Sequence, residues 1–295
     1  MSDKKDQNSD IDFTSNASFQ KSIKKAKWKQ LLLYTMITIV TMSVSIFVIH
    51  DGSQHLMNKK LRSIESPIEQ VFTKGYAQGA GISSSYTRYD YDLFSVTGKT
   101  TLFKKIGNRT IVWDTVTKKY PAIGDIEVID RGSGMSEVIK MDEEAQRSVR
   151  YNQLNNERII DFYYPGLNYD YLPHELKIAT GLDENSLAEV ALSFNKPMTQ
   201  KELGEKLGYK NVDWLWTNKK TKEEMDQVAA QPWKVKRGDA ANGFGVSERS
   251  PYTDYQGKNL TVSGAVVSGT PEELKRFLGM KFVRASTLGV TIDKY

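Results

Sequence analysis

The sequence contains no cysteine, and that absence removes disulfide frameworks, cysteine-based zinc sites and thiol nucleophiles together. Histidine is nearly as scarce. Of the three present, His50 and His55 lie beside an apolar run and only His174 falls in the body of the chain. Neither a histidine metal site nor a Ser-His-Asp arrangement can be assembled from them. No Walker or Gly-x-Gly-x-x-Gly pattern opens a helix. Catalysis would have to rest on carboxylates alone, and runs such as Asp142-Glu143-Glu144 and Asp183-Glu184 read as solvated faces. The expectation is a protein that is not an enzyme, with no catalytic residue, no metal and no cofactor.

Charge is missing altogether from Leu31 to Ile49, a run reading LLLYTMITIVTMSVSIFVI. As a helix it spans roughly 30 Å, the thickness of a bilayer's hydrocarbon core. Its Thr and Ser hydroxyls can bond back to the helix backbone, and Tyr34 near one end suits an interface. The residues that follow, His50-Asp51-Gly52-Ser53, offer no clear small-x-small cleavage site, so retention is expected over removal as a signal peptide. On the amino side stand Lys21, Lys24, Lys25, Lys27 and Lys29 with Trp28 at headgroup depth. The positive-inside rule then puts the N-terminus in the cytoplasm and everything after about residue 50 outside the cell membrane. The formal net charge is +5, and residues 1–30, with seven Lys and four Asp, supply +3 of it. The small remainder implies no direct nucleic-acid surface.

A chain of 295 residues can bury one or two real cores beyond such an anchor. Six parts are expected: a cytoplasmic tail (1–30), a transmembrane helix (31–49), a stalk (50–75), a β-rich subdomain (76–165), a linker (166–186) and an α+β C-terminal domain (187–295). Met57, Leu61, Ile64 and Ile68 continue a helical spacing into the stalk, and Ser66-Pro67-Ile68-Glu69 reads as a fresh cap and a kink. The β-rich part carries runs such as Thr110-Ile111-Val112-Trp113 and Ile126-Glu127-Val128-Ile129, and Arg158–Tyr164 is expected as its last strand. The last part contains a weak repeat of strand, helix and strand. The first unit comprises Leu187–Phe194, Thr199–Leu207 and Val212–Trp216; the second comprises Leu260–Val267, Thr270–Leu278 and Phe282–Ile292. Thr199 with Glu202, and Thr270 with Pro271 and Glu273, place the same cap at both helix starts. Two β-α-β units in tandem predict a ferredoxin-like layer, so the fold class is α+β. Asn218–Asn259 interrupts the repeat, as a surface excursion with functional weight or as a loosely structured insert.

Trp214 and Trp216 share one face of a strand. They either pack under the helix at Thr199–Leu207 or line a groove for a ligand or partner. Tyr163, Tyr164, Tyr169 and Tyr171 either line a surface or staple the linker. In the tail, Phe13, Phe19 and Ile23 stand among charged residues, and Phe19, Ile23 and Ala26 form one helical stripe that can dock into a partner's groove. The bland alternative is a leader whose only role is its lysine cluster.

Several of these motifs resemble one family, the membrane-anchored sigma factor regulators of Gram-positive bacteria, which act as anti-sigma factors. The likeness lies in Lys21-x-x-Lys24-Lys25-Ala26-Lys27-x-Lys29 before the span and in Ala188-Glu189-Val190-Ala191-Leu192-Ser193-Phe194-Asn195-Lys196-Pro197. Trp214-Leu215-Trp216, Gly243-Phe244-Gly245 and Ser286-Thr287-Leu288-Gly289-Val290 extend it to the end of the chain. The resemblance implies a cytoplasmic tail that holds an extracytoplasmic-function sigma factor at the membrane, with room for a small accessory membrane protein, and an outer domain that responds to the envelope. The tail lacks the His and Cys ligands of zinc-type anti-sigma domains. Two other readings remain: an anchored sensor or scaffold without a sigma partner, and a carboxylate-dependent cell-wall hydrolase.

Overall fold

The computed structural model describes residues 17–62, 80–132, 138–142, 147–217, 220–230, 242–246 and 261–295, with side chains described outside 138–147 and Asn242. The chain opens on α1 (Ala17–Arg62), about 70 Å long at 1.5 Å per residue. It is long and apolar enough to cross a membrane, and its apolar stretch is not covered by protein. The hydroxyls of Thr35, Thr38 and Thr41 donate to the carbonyls of Leu31, Tyr34 and Ile37, the back-bonding expected of hydroxyls in a dry helix. Past the apolar run, Ser53 and Met57 are buried, with Lys60 and Leu61 half-buried on the same face. Met57 and Leu61 pack with Val96, Tyr120 and Ala122, so the expected stalk is docked onto the first sheet here. Ile64, Ile68 and the expected kink at Ser66-Pro67 lie outside the described residues.

That sheet is an antiparallel meander of β1 (Ile82–Tyr91), β2 (Ser95–Ile106), β3 (Arg109–Pro121) and β4 (Glu127–Asp130). A second, small sheet joins β5 (Val138–Asp142), β6 (Arg147–Tyr151) and β7 (Arg158–Ile159). The strand expected over Arg158–Tyr164 forms a ladder only at β7, with a single bridging residue farther on at Tyr163. Beyond it the backbone finds side chains instead of a ladder: the Asp161 N–H donates to the Thr287 hydroxyl, the Tyr163 N–H to Ser193 and the Tyr164 N–H to Tyr169. Those three bonds lay the segment flat over the third sheet. Tyr163 and Tyr169 meet edge to face at 5.0 Å, and the Arg284 guanidinium donates to the carbonyls of Tyr164 and Leu167. Tyr163, Tyr164 and Tyr169 therefore staple this region. Burial pushes the Tyr169 hydroxyl up to about 12.

The third sheet has the order β10-β9-β11-β8-β12, antiparallel throughout. Its strands are β8 (Ser186–Thr199), β9 (Val212–Thr217), β10 (Asn242–Gly245), β11 (Thr261–Gly269) and β12 (Val283–Asp293). Residues 166–186 carry α2 (Leu176–Thr180), which packs into this domain's core. Between strands run α3 (Gln200–Lys206), α4 (Lys222–Ala230) and α5 (Pro271–Leu274), the last continued by a 3-10 turn at Lys275–Phe277. Without β10, the strands form two interleaved β-α-β units with each return strand set beside the other unit's first, the ferredoxin-like arrangement expected from the repeat. Both predicted capping boxes are formed, by Thr199 with Glu202 and by Thr270 with Glu273. Those bonds to the capping threonines hold both carboxyls below the ordinary carboxylate range. The segment 218–259 is neither plain loop nor hairpin among its described residues, since it supplies α4 and the edge strand β10.

The sheet separates two cores. Leu203, Leu207, Leu215 and Phe277 pack on the helical side. Trp214 and Trp216 lie on the other, with Ile160, Phe162, Tyr164 and Val228. The pair therefore does not sit under α3 as expected: strand alternation sends Leu215 there and both indoles the opposite way. Phe162 stacks on Trp216 at 4.8 Å and approaches Trp214 at 6.0 Å.

Candidate functional site at the junction of the sheets

Strand β8 is buried on both faces from Leu187 to Phe194, and within that apolar run stands one carboxylate, Glu189. A buried anion needs a cation and further donors. The cation comes from the first sheet: Lys104 of β2 approaches Glu189 at 2.7 Å, with both side chains fully enclosed. The Lys104 ammonium also lies 4.2 Å from the centre of the Trp113 ring, a favourable site for a desolvated cation. The third sheet adds a long contact from the Val290 N–H to Glu189, 3.4 Å. Nearby, burial pushes the Glu157 carboxyl up, opposed by the N–H it accepts from Thr291.

A second buried pair, Arg150 of β6 with Asp161, links the small sheet to the segment that covers the tryptophans. The Thr287 hydroxyl accepts from the Asp161 N–H at 3.0 Å and donates to its carbonyl at 2.8 Å. Along β12, Ser286 accepts from the Leu176 N–H and Glu175 accepts from the Leu288 N–H. A Cβ on Gly289 would fall 2.4 Å from a Glu189 oxygen, so only glycine lets the carboxylate lie there. The run Ser286–Val290 is thus where α2, both ion pairs and the third sheet meet.

Beside the first pair, a cavity of about 780 Å³ opens between the β2–β3 turn and the ends of β9, β11 and α5; Gly107, Asn211, Asp213, Ser268, Glu273 and Lys294 are among its walls. The Ser268 hydroxyl accepts from the Gly107 N–H at 2.6 Å and donates to Asp213. Burial pushes the Asp213 carboxyl up to about 7, the Ser268 bond opposing it, and the nearby Glu189 raises it further. Arg109 of the same turn donates to the Asp293 carbonyl at 2.5 Å. The Gly107 and Arg109 bonds fasten the first sheet to the third.

Trp214 and Trp216, at 2% and 1% exposure, are enclosed in core beside this junction. Gly243-Phe244-Gly245 belongs to the same packing. A Cβ on Gly243 would lie 2.1 Å from the Trp214 ring, while Phe244 joins the core on the helical face. At the other end of the chain, Phe19 and Ile23 are exposed on α1 at 45% and 38%, and Lys21, Lys24, Lys25, Trp28, Lys27 and Lys29 are exposed around them. Phe13 lies outside the described residues. Sequence reasoning missed Lys104, Glu189, Arg150, Asp161 and Asp213; a lone Glu inside a doubly buried strand was the one signal that required a partner.

Residues 180–257, which hold β8, α3, β9, α4, β10 and their surroundings, match the family model described as sigma factor regulator C-terminal. The matched stretch covers the first part of the third-sheet domain and supports a sigma factor regulator family for it. Three of the quoted motifs, Ala188–Pro197, Trp214–Trp216 and Gly243–Gly245, fall within the match, and each lies on a strand of the central sheet. No curated protein and no solved structure matches the chain. The chain thus carries a segment similar to sigma factor regulators and, among its described residues, one helix long and apolar enough to cross a membrane.

Proposed function

We propose that the chain is a membrane-bound anti-sigma factor. Residues 1–30 lie in the cytoplasm and hold an extracytoplasmic-function sigma factor through Phe13, Phe19 and Ile23. Residues 31–49 cross the cell membrane, oriented by Lys21, Lys24, Lys25, Lys27, Trp28 and Lys29. Residues 50–75 form the stalk, 76–165 a β-rich subdomain, 166–186 the connection, and 187–295 the regulator domain that responds to envelope signals. The observation that carries this reading is the match at 180–257 in one chain with a helix whose amino end is basic and whose apolar run is uncovered. Holding a sigma factor away from polymerase requires only competitive binding, so the function needs no reacting group. A short tail covers part of such a partner, which leaves room for a small accessory membrane protein.

The two domains outside the membrane are suited to relay. The end of α1 is packed on the first sheet, and that sheet is fastened to the regulator domain by Lys104 and Glu189. A change in the regulator domain would reach the helix through contacts that are buried at each step. The test is a reporter driven by the partner sigma factor. Replacing Phe13, Phe19 and Ile23 together by Ala is expected to raise its output while membrane insertion is unchanged; unaltered output from a correctly inserted variant rejects the tail assignment.

A further inference from the structure

The meander presents two turns to the same end of the molecule, and both are tied to α1 just beyond its apolar run. Ser53 stands one helical turn past Ile49, about 6 Å along the axis, and its hydroxyl, shared with the His50 carbonyl of its own helix, lies 2.8 Å from the Leu93 carbonyl as donor. The β1–β2 turn is therefore fixed at the height of the headgroup layer, which adds about 5–8 Å to each side of the hydrocarbon. The second turn, between β3 and β4, is bound to the first by the Ala122 N–H, which donates to the Phe94 carbonyl at 2.8 Å. It is bound to the helix by Lys60, whose ammonium donates to the carbonyls of Pro121 and Gly124 at 2.5 and 2.6 Å. Lysine side chains on a helix lean toward its amino end, here the membrane end.

Turn tips are ordinarily polar, yet these carry four large apolar side chains in the open: Leu93 at 48% exposure, Phe94 at 55%, Ile123 at 86% and Ile126 at 42%. Exposed apolar groups clustered in this way mark a surface with a partner. We infer that these two turns form a lipid-docking surface that seats the first sheet on the bilayer crossed by α1, with Leu93, Phe94 and Ile123 entering the boundary between headgroups and acyl chains. The inference rests on α1 spanning the membrane, and it adds a second contact with the lipid that holds the outer part of the chain at a fixed tilt.

Because the chain has no cysteine, single cysteines can be placed and labelled one at a time. The full chain is reconstituted in vesicles of phosphatidylcholine and phosphatidylglycerol with an environment-sensitive fluorophore at Leu93→Cys, Phe94→Cys or Ile123→Cys. One control is Val112→Cys, exposed on β3 about 30 Å along the strand from Pro121; another is Val40→Cys, in the middle of the apolar run. Nitroxide-labelled lipids are then titrated in. The expected result is blue-shifted emission and loss of fluorescence to shallow nitroxides at all three turn positions, loss to deep nitroxides at Val40, and neither effect at Val112. Turn labels that behave like Val112 while Val40 is quenched overturn the docking surface and leave the span intact. Blue-shifted turn labels that no lipid quenches also overturn it, in favour of a protein partner such as a second copy. An unquenched Val40 overturns both the span and the inference resting on it.

Discussion

Glu189 illustrates how one residue can decide an interface. Buried between apolar neighbours, its carboxylate is acceptable only while Lys104 is 2.7 Å away. Removing one member strands the other charge, so Glu189→Ala is expected to destabilise the fold by about 3–5 kcal/mol. The double variant Lys104→Met with Glu189→Leu, which removes both charges, is expected to recover most of that loss. Urea unfolding of the full chain in detergent micelles measures both. Asp213 makes a different prediction. Below about pH 3 its carboxyl is neutral in folded and unfolded chains alike. Between there and about 7, the unfolded chain ionises while the fold keeps the proton, so stability falls as pH rises and levels off once both states are ionised. The full displacement carries at most about 4 kcal/mol. Asp213→Asn keeps an acceptor for Ser268, and it is expected to flatten that slope and to raise stability above pH 7. A variant as pH-dependent as the wild type would contradict the assignment.

At the scale of elements, what was legible in the sequence was local. Thr199 with Glu202 and Thr270 with Glu273 announce helix starts through residues three apart, and both capping boxes are formed; Thr270→Ala is expected to cost about 1 kcal/mol, read from the same unfolding curves. The strand-helix-strand repeat was legible for the same reason, since its periods and caps are written within each unit. The face of Trp214 and Trp216 was not legible. It depends on Ile160, Phe162 and Tyr164 covering the sheet from a distant segment, and that segment looks like a strand until Thr287, Ser193 and Tyr169 are seen taking its N–H groups. The ion pair joining Lys104 to Glu189 is beyond local reading altogether, as its partners lie 85 residues apart. Edge strand β10 depends on close approach: Gly243→Ala would drive a methyl into the Trp214 ring. It is expected to detach the strand, seen as faster hydrogen exchange at the amides of Leu215 and Thr217, which face β10, with little change in β8.

For the molecule as a whole, α1, the meander and the regulator domain form a chain of buried contacts leading from the sheet matched by the family to the helix that can cross the membrane. Met57 and Leu61 fix the first link, and Lys104 with Glu189 the second. The stripe of Phe19 and Ile23 stands open at the far end of that same helix, where a partner would have to bind. The most direct measurement is capture from cytoplasm on the full chain held in lipid nanodiscs, with mass spectrometry of what is retained, beside the variant with Ala at Phe13, Phe19 and Ile23. An anti-sigma factor retains a sigma factor that the variant releases; a wild-type chain that retains no sigma factor, in nanodiscs where the helix is correctly inserted, contradicts the account.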